Sequence, residues 1–376
     1  MIKIGLFGDL IMGERVSIDN EIIRILNSTD FNLCNFEAPF INDSIRKGVK
    51  SGLFQKAEDA SLLKKLNVKV VSLANNHIGD FEPGGIELTR SILKEEGIAS
   101  FGAGENLEEA SKPAVLDIRG NRVACWGYML RFFSKRYFAD LSKPGIPELK
   151  EECISGDIEK IKADIKIVFA HWNQEFEDYP EPVCKELGED LRGRINLMVG
   201  SHPHCLQGRQ IFNDYAVYHS LGNFIMPNDQ YHNTFLGPYP EKCYHSMFVV
   251  MEIDKDGMLQ ETLYPFVISR DGMRLSLAEK EVREAILKRV EFISQPLLMQ
   301  HSAYRKYYGR NKIRKLRFTL GRSEGVNYMK MVLYRVLFYS SVYMERILVF
   351  LLKKLGIYSI IKEKFARFIA KYQSVR

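Results

Sequence analysis

The six cysteines of this 376-residue chain, at positions 34, 125, 153, 184, 205 and 243, form no CxxC pair and lack the close spacing of a secreted disulfide scaffold. That scarcity excludes a disulfide-stapled domain and predicts reduced thiols in a cytosolic compartment. The opening run MIKIGLFGD has no basic n-region, no long apolar h-region and no small-residue cleavage site, so secretion by a standard signal is not expected. An uninterrupted apolar span is also missing. In residues 326–376, Arg335, Glu345, Arg346, Lys353 and Lys354 break every stretch of about 20 residues that a membrane-crossing helix needs. Acidic residues are scarce at the same end: positions 301–376 hold 18 Lys and Arg against only Glu324, Glu345 and Glu363. The tail therefore carries about +15 and the first 300 residues about −9, which separates their expected partners.

What the chain does have is enough apolar material, 46% of residues, for a large core. Its length suits one large α/β domain with an appendage, or two ordinary domains. Up to about residue 205, β-rich runs alternate with helix-like stretches: 54–67 before VKVVSLA, 82–97 before IASFGAG and 182–194 before INLMVG. Alternation of this kind predicts helices covering a sheet. Pro83 suits the first turn of its helix and Gly97 the end. Residues 114–130 read as two strands around Gly120 and Asn121, and 211–224 and 247–270 read likewise, the last around Asp256 and Gly257. The added antiparallel strands favour a mixed two-sheet sandwich over a simple doubly wound sheet. Helical patterning begins near Ser276, so the expected division is a body at 1–275 and a basic, amphipathic helical extension at 276–376.

Five short apolar runs end in residue types that bind metals: GLFGD at Asp9, CNFE at Glu37, LANNH at Asn76 and His77, VFAH at His171, and VGSHPH at His202 and His204. Ligands in α/β proteins bind outside the carboxyl ends of strands, so residues distant in sequence converge there. This oxygen and nitrogen set suits two divalent ions such as Mn, Fe, Zn or Ni rather than a soft thiolate site. Two ions about 3.5–4 Å apart clamp a phosphoryl oxygen and supply hydroxide near neutral pH, giving hydrolysis without a protein nucleophile. Glu37 is the best bridge, because the two oxygens of a carboxylate can bind separate metals. His202-Pro203-His204 can project two imidazoles from one extended segment.

The strings GDLIMG, CNFEAPF, LANNHIGDF, AHWNQEF, GSHPHCLQ and HSLGNF resemble, in that order, the signature of bacterial capsule-synthesis proteins of the poly-γ-glutamate type (CapA-like), a branch of the calcineurin-like metallophosphoesterases. The resemblance covers about residues 2 to 250. It implies a four-layer α/β/β/α metallophosphoesterase sandwich, here with a C-terminal helical extension. On this sequence it places Asp9 on the first metal, Glu37 as bridge, Asn76 and His171 on the second, and His202 and His204 completing both spheres. His77 would be the general acid or a phosphate contact, with Asp80 fixing its tautomer. The implied activity is metal-dependent phosphate-ester hydrolysis linked to capsule or exopolysaccharide biosynthesis; the alternative is a non-hydrolytic accessory subunit of polymer assembly.

Three departures stand out. Asp9 is followed by Leu10 and Ile11, so the Asp-x-His opening of the wider superfamily is absent, and the first metal then lacks one imidazole. The usual His-Trp-Gly is His171-Trp172-Asn173, which alters the substrate rim. The family's typical N-terminal anchor is not seen, which shifts the expected location to the cytoplasm. Other residues keep two readings. Asn35 and Arg15 contact a phosphate or serve as plain loop and helix-start residues. Asn223 lines the pocket or makes a tight turn with Gly222. Trp172 and Glu175 shape the site, or are a packed aromatic and a solvated carboxylate. His219, His232, His245 and His301 match no ligand position.

In the tail, Lys362, Lys364, Arg367 and Lys371 alternate with Ile361, Phe365, Phe368 and Ile369 at helical spacing. Such a helix lies on anionic lipid at the inner face of the plasma membrane, beside membrane-bound polysaccharide machinery, or packs its apolar face on protein. No nucleic-acid module is recognisable, so no nucleic-acid partner is expected.

Overall fold

The run IKIGLFGDL forms β1 (Ile2–Leu10), a strand buried almost throughout, and the larger sheet grows from both of its edges. In the computed structural model, residues 1–321 are described apart from 14, 48, 50, 83, 131–136, 228–230 and 233–238. The strands that follow are β2 (Ser17–Ile18), β3 (Phe31–Phe36), β4 (Gly52–Leu53), β5 (Val68–Ser72), β6 (Ala99–Phe101), β7 (Ala114–Ile118) and β8 (Asn121–Met129). Later come β9 (Ile165–His171), β10 (Leu197–Ser201), β11 (Arg209–Ile211), β12 (Ala216–Tyr218), β13 (Asn223–Ile225), β14 (Tyr231–His232), β15 (His245–Ile253), β16 (Leu259–Ile268) and β17 (Arg274–Leu277).

One sheet has the order β2-β17-β16-β15-β1-β3-β5-β6, with β13 also paired to β1; the other runs β11-β12-β10-β9-β8-β7. β1, β3, β5 and β6 are mutually parallel, as are β8, β9 and β10. β1, β3, β9 and β10 are buried on both faces, which is why they read as continuous apolar runs such as FNLCNF and IKIVFAH. β15 and β16 are antiparallel around Gly257 at φ +79°, as expected from the Asp256-Gly257 pair.

The core divides into layers. Leu6, Leu33 and Val70 of the first sheet meet Val123, Ile167 and Val199 of the second in one cluster. On the outer face of the first sheet, Ile22 and Leu26, Leu63, and Ile86 and Leu93 from three helices cover Phe7, Cys34 and Val71. On the outer face of the second, Ile154, Ile158 and Cys184 from two helices cover Trp126, Val168 and Met198. The arrangement is the expected α/β/β/α sandwich. Helix Gly85–Glu95 shows the local logic: Ile86, Thr89 and Leu93 share its buried face, each apolar member contributing on the order of 1.5–3 kcal/mol. Gly97, at φ +72°, ends it in the left-handed conformation that glycine adopts at least cost. Pro83 lies outside the described residues.

Three details differ from the sequence reading. In the hairpin β7–β8, positive φ falls on Arg119 and Gly120, one residue earlier than the Gly120-Asn121 turn. Ser276 is paired with Val267 inside β17, and the helix starts later, at Lys280–Ser294. The compact unit runs from Met1 to Tyr308 rather than ending at 275, and a second unit covers Gly309–Arg376. The physical reason is packing. Ile286 and Val290 join the cluster between the sheets, and their helix touches both β16 and β11, closing the open side of the sandwich. Among the described residues, no helix is long and apolar enough to cross a membrane. The apolar and basic positions of 361–371 lie outside the described residues.

Candidate metal centre

Chemistry gathers where the parallel strands of both sheets end. β1 delivers Asp9, and the ladder sets it level with Asn35 of β3 and Asn223 of β13. Close approach makes this register feasible: a Cβ on Gly8 would lie 1.8 Å from the Gly222 carbonyl oxygen, and Asp9 N donates to that oxygen at 3.1 Å. Glu37 follows β3, Asn75, Asn76 and His77 follow β5, His171 ends β9, and His202 and His204 follow β10. Asp9, Glu37, His171, His202 and His204 are all buried.

One group consists of Asp9, Glu37 and His171, whose donor atoms lie within 4.8 Å of one another. Asn35 holds its carboxylates together: Nδ2 donates to Asp9 Oδ1 at 2.8 Å and to Glu37 Oε2. Glu37 Oε1 is fully buried without a hydrogen bond and stands 3.9 Å from His171 Nε2. A buried carboxylate oxygen left in that condition is costly unless a cation completes its surroundings. His171 is aimed by Nδ1 at Ser201 Oγ, 3.0 Å away, and its Nε2 is 2.6 Å from Asn76 Oδ1.

A second group of three donors, Glu175, His202 and His204, also falls within 4.8 Å. His204 Nδ1 lies 2.8 Å from Asn223 Oδ1 and 3.3 Å from Asp9 Oδ2, while His202 N donates to Asp9 Oδ2 at 3.4 Å. Asp9 thus links the two groups. The rings of His171 and His202 are 4.7 Å apart, and those of His202 and His204 are 6.0 Å apart.

Electrostatics match the layout. Burial and then the Asp9 charge push the Glu37 carboxyl well up. Burial and the neighbouring imidazoles push His171 and His202 well down, so both rings are neutral, the form in which imidazole binds a metal. His204 goes the other way, to about 10: burial opposes the rise, but the Asp9 hydrogen bond and the Asp9 and Glu37 charges outweigh it. The neutral rings of His171 and His202 suit a borderline divalent ion, while His204 can bind one only by giving up its proton.

His77 stands at the accessible side of the cluster. Its Nδ1 is 2.7 Å from Asp80 Oδ2, which also accepts from Leu53 N at 3.0 Å. The preceding Asn75 fixes the loop: its Oδ1 accepts from His77 N at 3.1 Å and Ile78 N at 2.9 Å, while its Nδ2 donates to Phe36 O at 2.7 Å.

The remaining residues sort as follows. Asn35 is fully buried, its amide nitrogen donating to Asp9 and Glu37 and its Oδ1 accepting from Asn75 Nδ2 at 3.2 Å. Asn223 orients His204 and has little exposure to a pocket. Arg15 is exposed in a turn; Asp271, which accepts from Ser269 and Met273 N, also feels the Arg15 charge and is held below the usual carboxylate range. Trp172 is a packed aromatic, fully buried, stacked on His219 and donating Nε1 to His219 O at 2.9 Å. Asn173 is likewise internal, bonded to Gln207 and to Glu181 N. Sequence reasoning missed the supporting roles of Asn75 and Ser201, whose only signal was adjacency to Asn76 and His202.

Fold and cluster define a two-sheet α/β protein with a dense carboxylate and imidazole centre at its strand ends. The model described as bacterial capsule synthesis protein PGA_cap matches residues 9–228, and the chain belongs to that family. It is 27% identical over 239 residues to the capsule biosynthesis protein CapA of Bacillus anthracis, a match covering 58% of each chain. It is 27% identical over 234 residues to the PGA biosynthesis protein CapA of Bacillus subtilis, covering 58% of this chain and 61% of that one. The match therefore spans about three-fifths of the length of these curated relatives. A crystal structure of a novel phosphatase from Mycoplasma pneumoniae is similar with a TM-score of 0.46 at 13% identity, covering 71% of this chain and 93% of that one.

Proposed function

We propose that this protein is a metal-dependent phosphoesterase acting on a phosphate ester in capsule or exopolysaccharide biosynthesis. The observation that carries the reading is the buried meeting of Asp9, Glu37 and His171 with His202 and His204, with one Glu37 oxygen left unbonded at its centre. Asp9, Glu37, Asn76, His171, His202 and His204 would hold two divalent ions, Glu37 serving both. Ions bound there supply Lewis acidity towards a phosphoryl oxygen and make water acidic enough to act as a nucleophile near neutral pH.

The chain's own residues do the rest. Asp80 occupies His77 Nδ1, which leaves Nε2 as the atom that passes a proton to the leaving oxygen. Ser201 and Asn223 fix the rings of His171 and His204, and Asn35 keeps two like-charged carboxylates from turning apart.

A second reading is a non-hydrolytic accessory subunit that keeps the centre as a binding platform; it is supported by a similar protein of Mycobacterium tuberculosis, 24% identical over 221 residues, named a probable polyglutamine synthesis accessory protein. Turnover separates the two. The purified, metal-loaded chain is assayed on a phosphomonoester and a phosphodiester beside His77→Ala and His204→Ala. The phosphoesterase reading expects hydrolysis that falls on the order of 10²–10⁴-fold in His77→Ala, the usual range for losing a general acid. Equal, background-level rates in all three proteins, with metal bound, favour the accessory reading.

A further inference from the structure

The loop after β9 carries a carboxylate that the strand-end pattern does not explain. Glu175 sits four residues beyond His171, partly buried, with an oxygen within 4.8 Å of donor nitrogens of both His202 and His204. Its position is built rather than incidental, because the 172–177 segment is tied to the segment after β10 at several points. Trp172 N donates to Ser201 O at 3.2 Å, and Phe176 N donates to Pro203 O at 2.9 Å. Asn173 Nδ2 donates to Gln207 Oε1 at 3.1 Å, and Gln207 Nε2 and Cys205 Sγ both donate to Glu177 O. The two segments also share an unusual backbone. Asn173, Phe176, His202 and His204 have φ of +68°, +59°, +93° and +55°, a left-handed conformation that non-glycine residues keep only where the surroundings hold them. Beside His204, the Phe176 ring packs 6.1 Å from its imidazole and 5.7 Å from Tyr239, which itself lies 5.6 Å from His204. These rings cover His204 and lower the dielectric on that side of the group, which strengthens the pull of its carboxylate on a cation.

We propose that Glu175 is a metal ligand and forms, with His202 and His204, the outer half of the centre, beside the inner half of Asp9, Glu37 and His171 to which Asp9 links it. The inference rests on the metal-centre reading given above and deepens it. The division has a chemical consequence. The inner half-site has two fully buried carboxylates around its imidazole, whereas the outer one has two imidazoles and a single, partly exposed carboxylate. The outer half-site is therefore the weaker and more exchangeable of the two, and its occupancy depends on Glu175.

The test is metal binding by the full chain and by Glu175→Gln, which keeps the side-chain shape and removes the charge. Metal content after dialysis is measured by elemental analysis, affinities by calorimetric titration with Mn²⁺, and the environment by the visible spectrum of Co²⁺-loaded protein. The expected result is two ions per wild-type chain and about one per variant, with the weaker affinity reduced at least ~10-fold and the stronger unchanged. Glu175→Asp, which shortens the side chain but keeps the charge, is expected to fall between them and secures the test if Glu175→Gln misfolds. Two ions bound by Glu175→Gln with wild-type affinities overturn the proposal and leave the metal centre intact. A wild-type chain that binds no ion removes the centre itself, and Glu175 as a ligand with it.

Discussion

At the scale of single residues, the side chains around the centre divide into those that face its interior and those that hold them there. Asn35 and Asn75 are both asparagines at strand ends, yet one amide clamps Asp9 and Glu37 while the other caps the loop bearing Asn76 and His77. His219 is a buried imidazole outside the centre, 3.1 Å from Gln210 Oε1 and stacked on Trp172. Burial, helped by the Lys185 charge, lowers its pKa to about 3. An unfolded histidine titrates near ~6.5, so below that pH the unfolded chain takes up a proton that the folded chain refuses until about pH 3. The stability that this group contributes is thus present above pH ~6.5 and falls by up to about 1.4 kcal/mol per pH unit on acidification. Urea unfolding of wild type and His219→Gln between pH 4.5 and 7.5 (about two units across the lower window) should show a shallower decline in the variant; parallel pH dependences contradict the assignment.

The ligand-type residues were legible in the sequence because each closes an apolar strand, a position where a polar residue has a polar ligand or solvent to meet. Glu175 keeps two readings in the sequence, shaping the site or a solvated carboxylate; hydrogen bonds from its loop to a segment about 30 residues away set it near His202 and His204. Asn35 likewise keeps two readings in the sequence, a phosphate contact or a plain loop residue; register and hydrogen bonds set its amide between Asp9 and Glu37.

At the scale of elements, the alternation of strands and helices predicted the layers well, since the central parallel strands β1, β3, β9 and β10 are buried on both faces and the covering helices on one. Turn placement slipped by one residue at Arg119-Gly120, because a glycine marks the neighbourhood of a turn but not which of its positions it takes. The helix Lys280–Ser294 is the larger lesson. Its amphipathic pattern was visible, but a stripe of apolar residues does not say which surface it covers, and here it covers the gap between two sheets. Ile286→Ala is expected to destabilise the body by about 2–5 kcal/mol in urea unfolding, the range for deleting a buried isoleucine. A loss below about 1 kcal/mol would mean that the helix is dispensable to the sandwich.

At the scale of the whole molecule, the charge is divided between an acidic body and a basic end. We propose that the apolar and basic positions of 361–371 bind anionic lipid, a reading supported by their helical spacing and the surplus of Lys and Arg. In the full-length chain, replacing Lys362, Lys364, Arg367 and Lys371 by Gln should weaken sedimentation with phosphatidylserine vesicles by on the order of 10²-fold or more, at about 1 kcal/mol per charge, and high salt should do the same to wild type. Equal partitioning of both proteins rejects lipid as the partner.

If the strand-end cluster is a hydrolytic centre for two divalent ions, hydrolysis must follow the ions. The chain is stripped with chelator, and phosphodiester and phosphomonoester hydrolysis is followed as Mn²⁺ is returned in measured equivalents. Negligible hydrolysis in the stripped protein and a rise that saturates at two bound ions per chain are expected. Bound ions with no hydrolysis of either ester, or hydrolysis indifferent to chelation, would rule out such a centre.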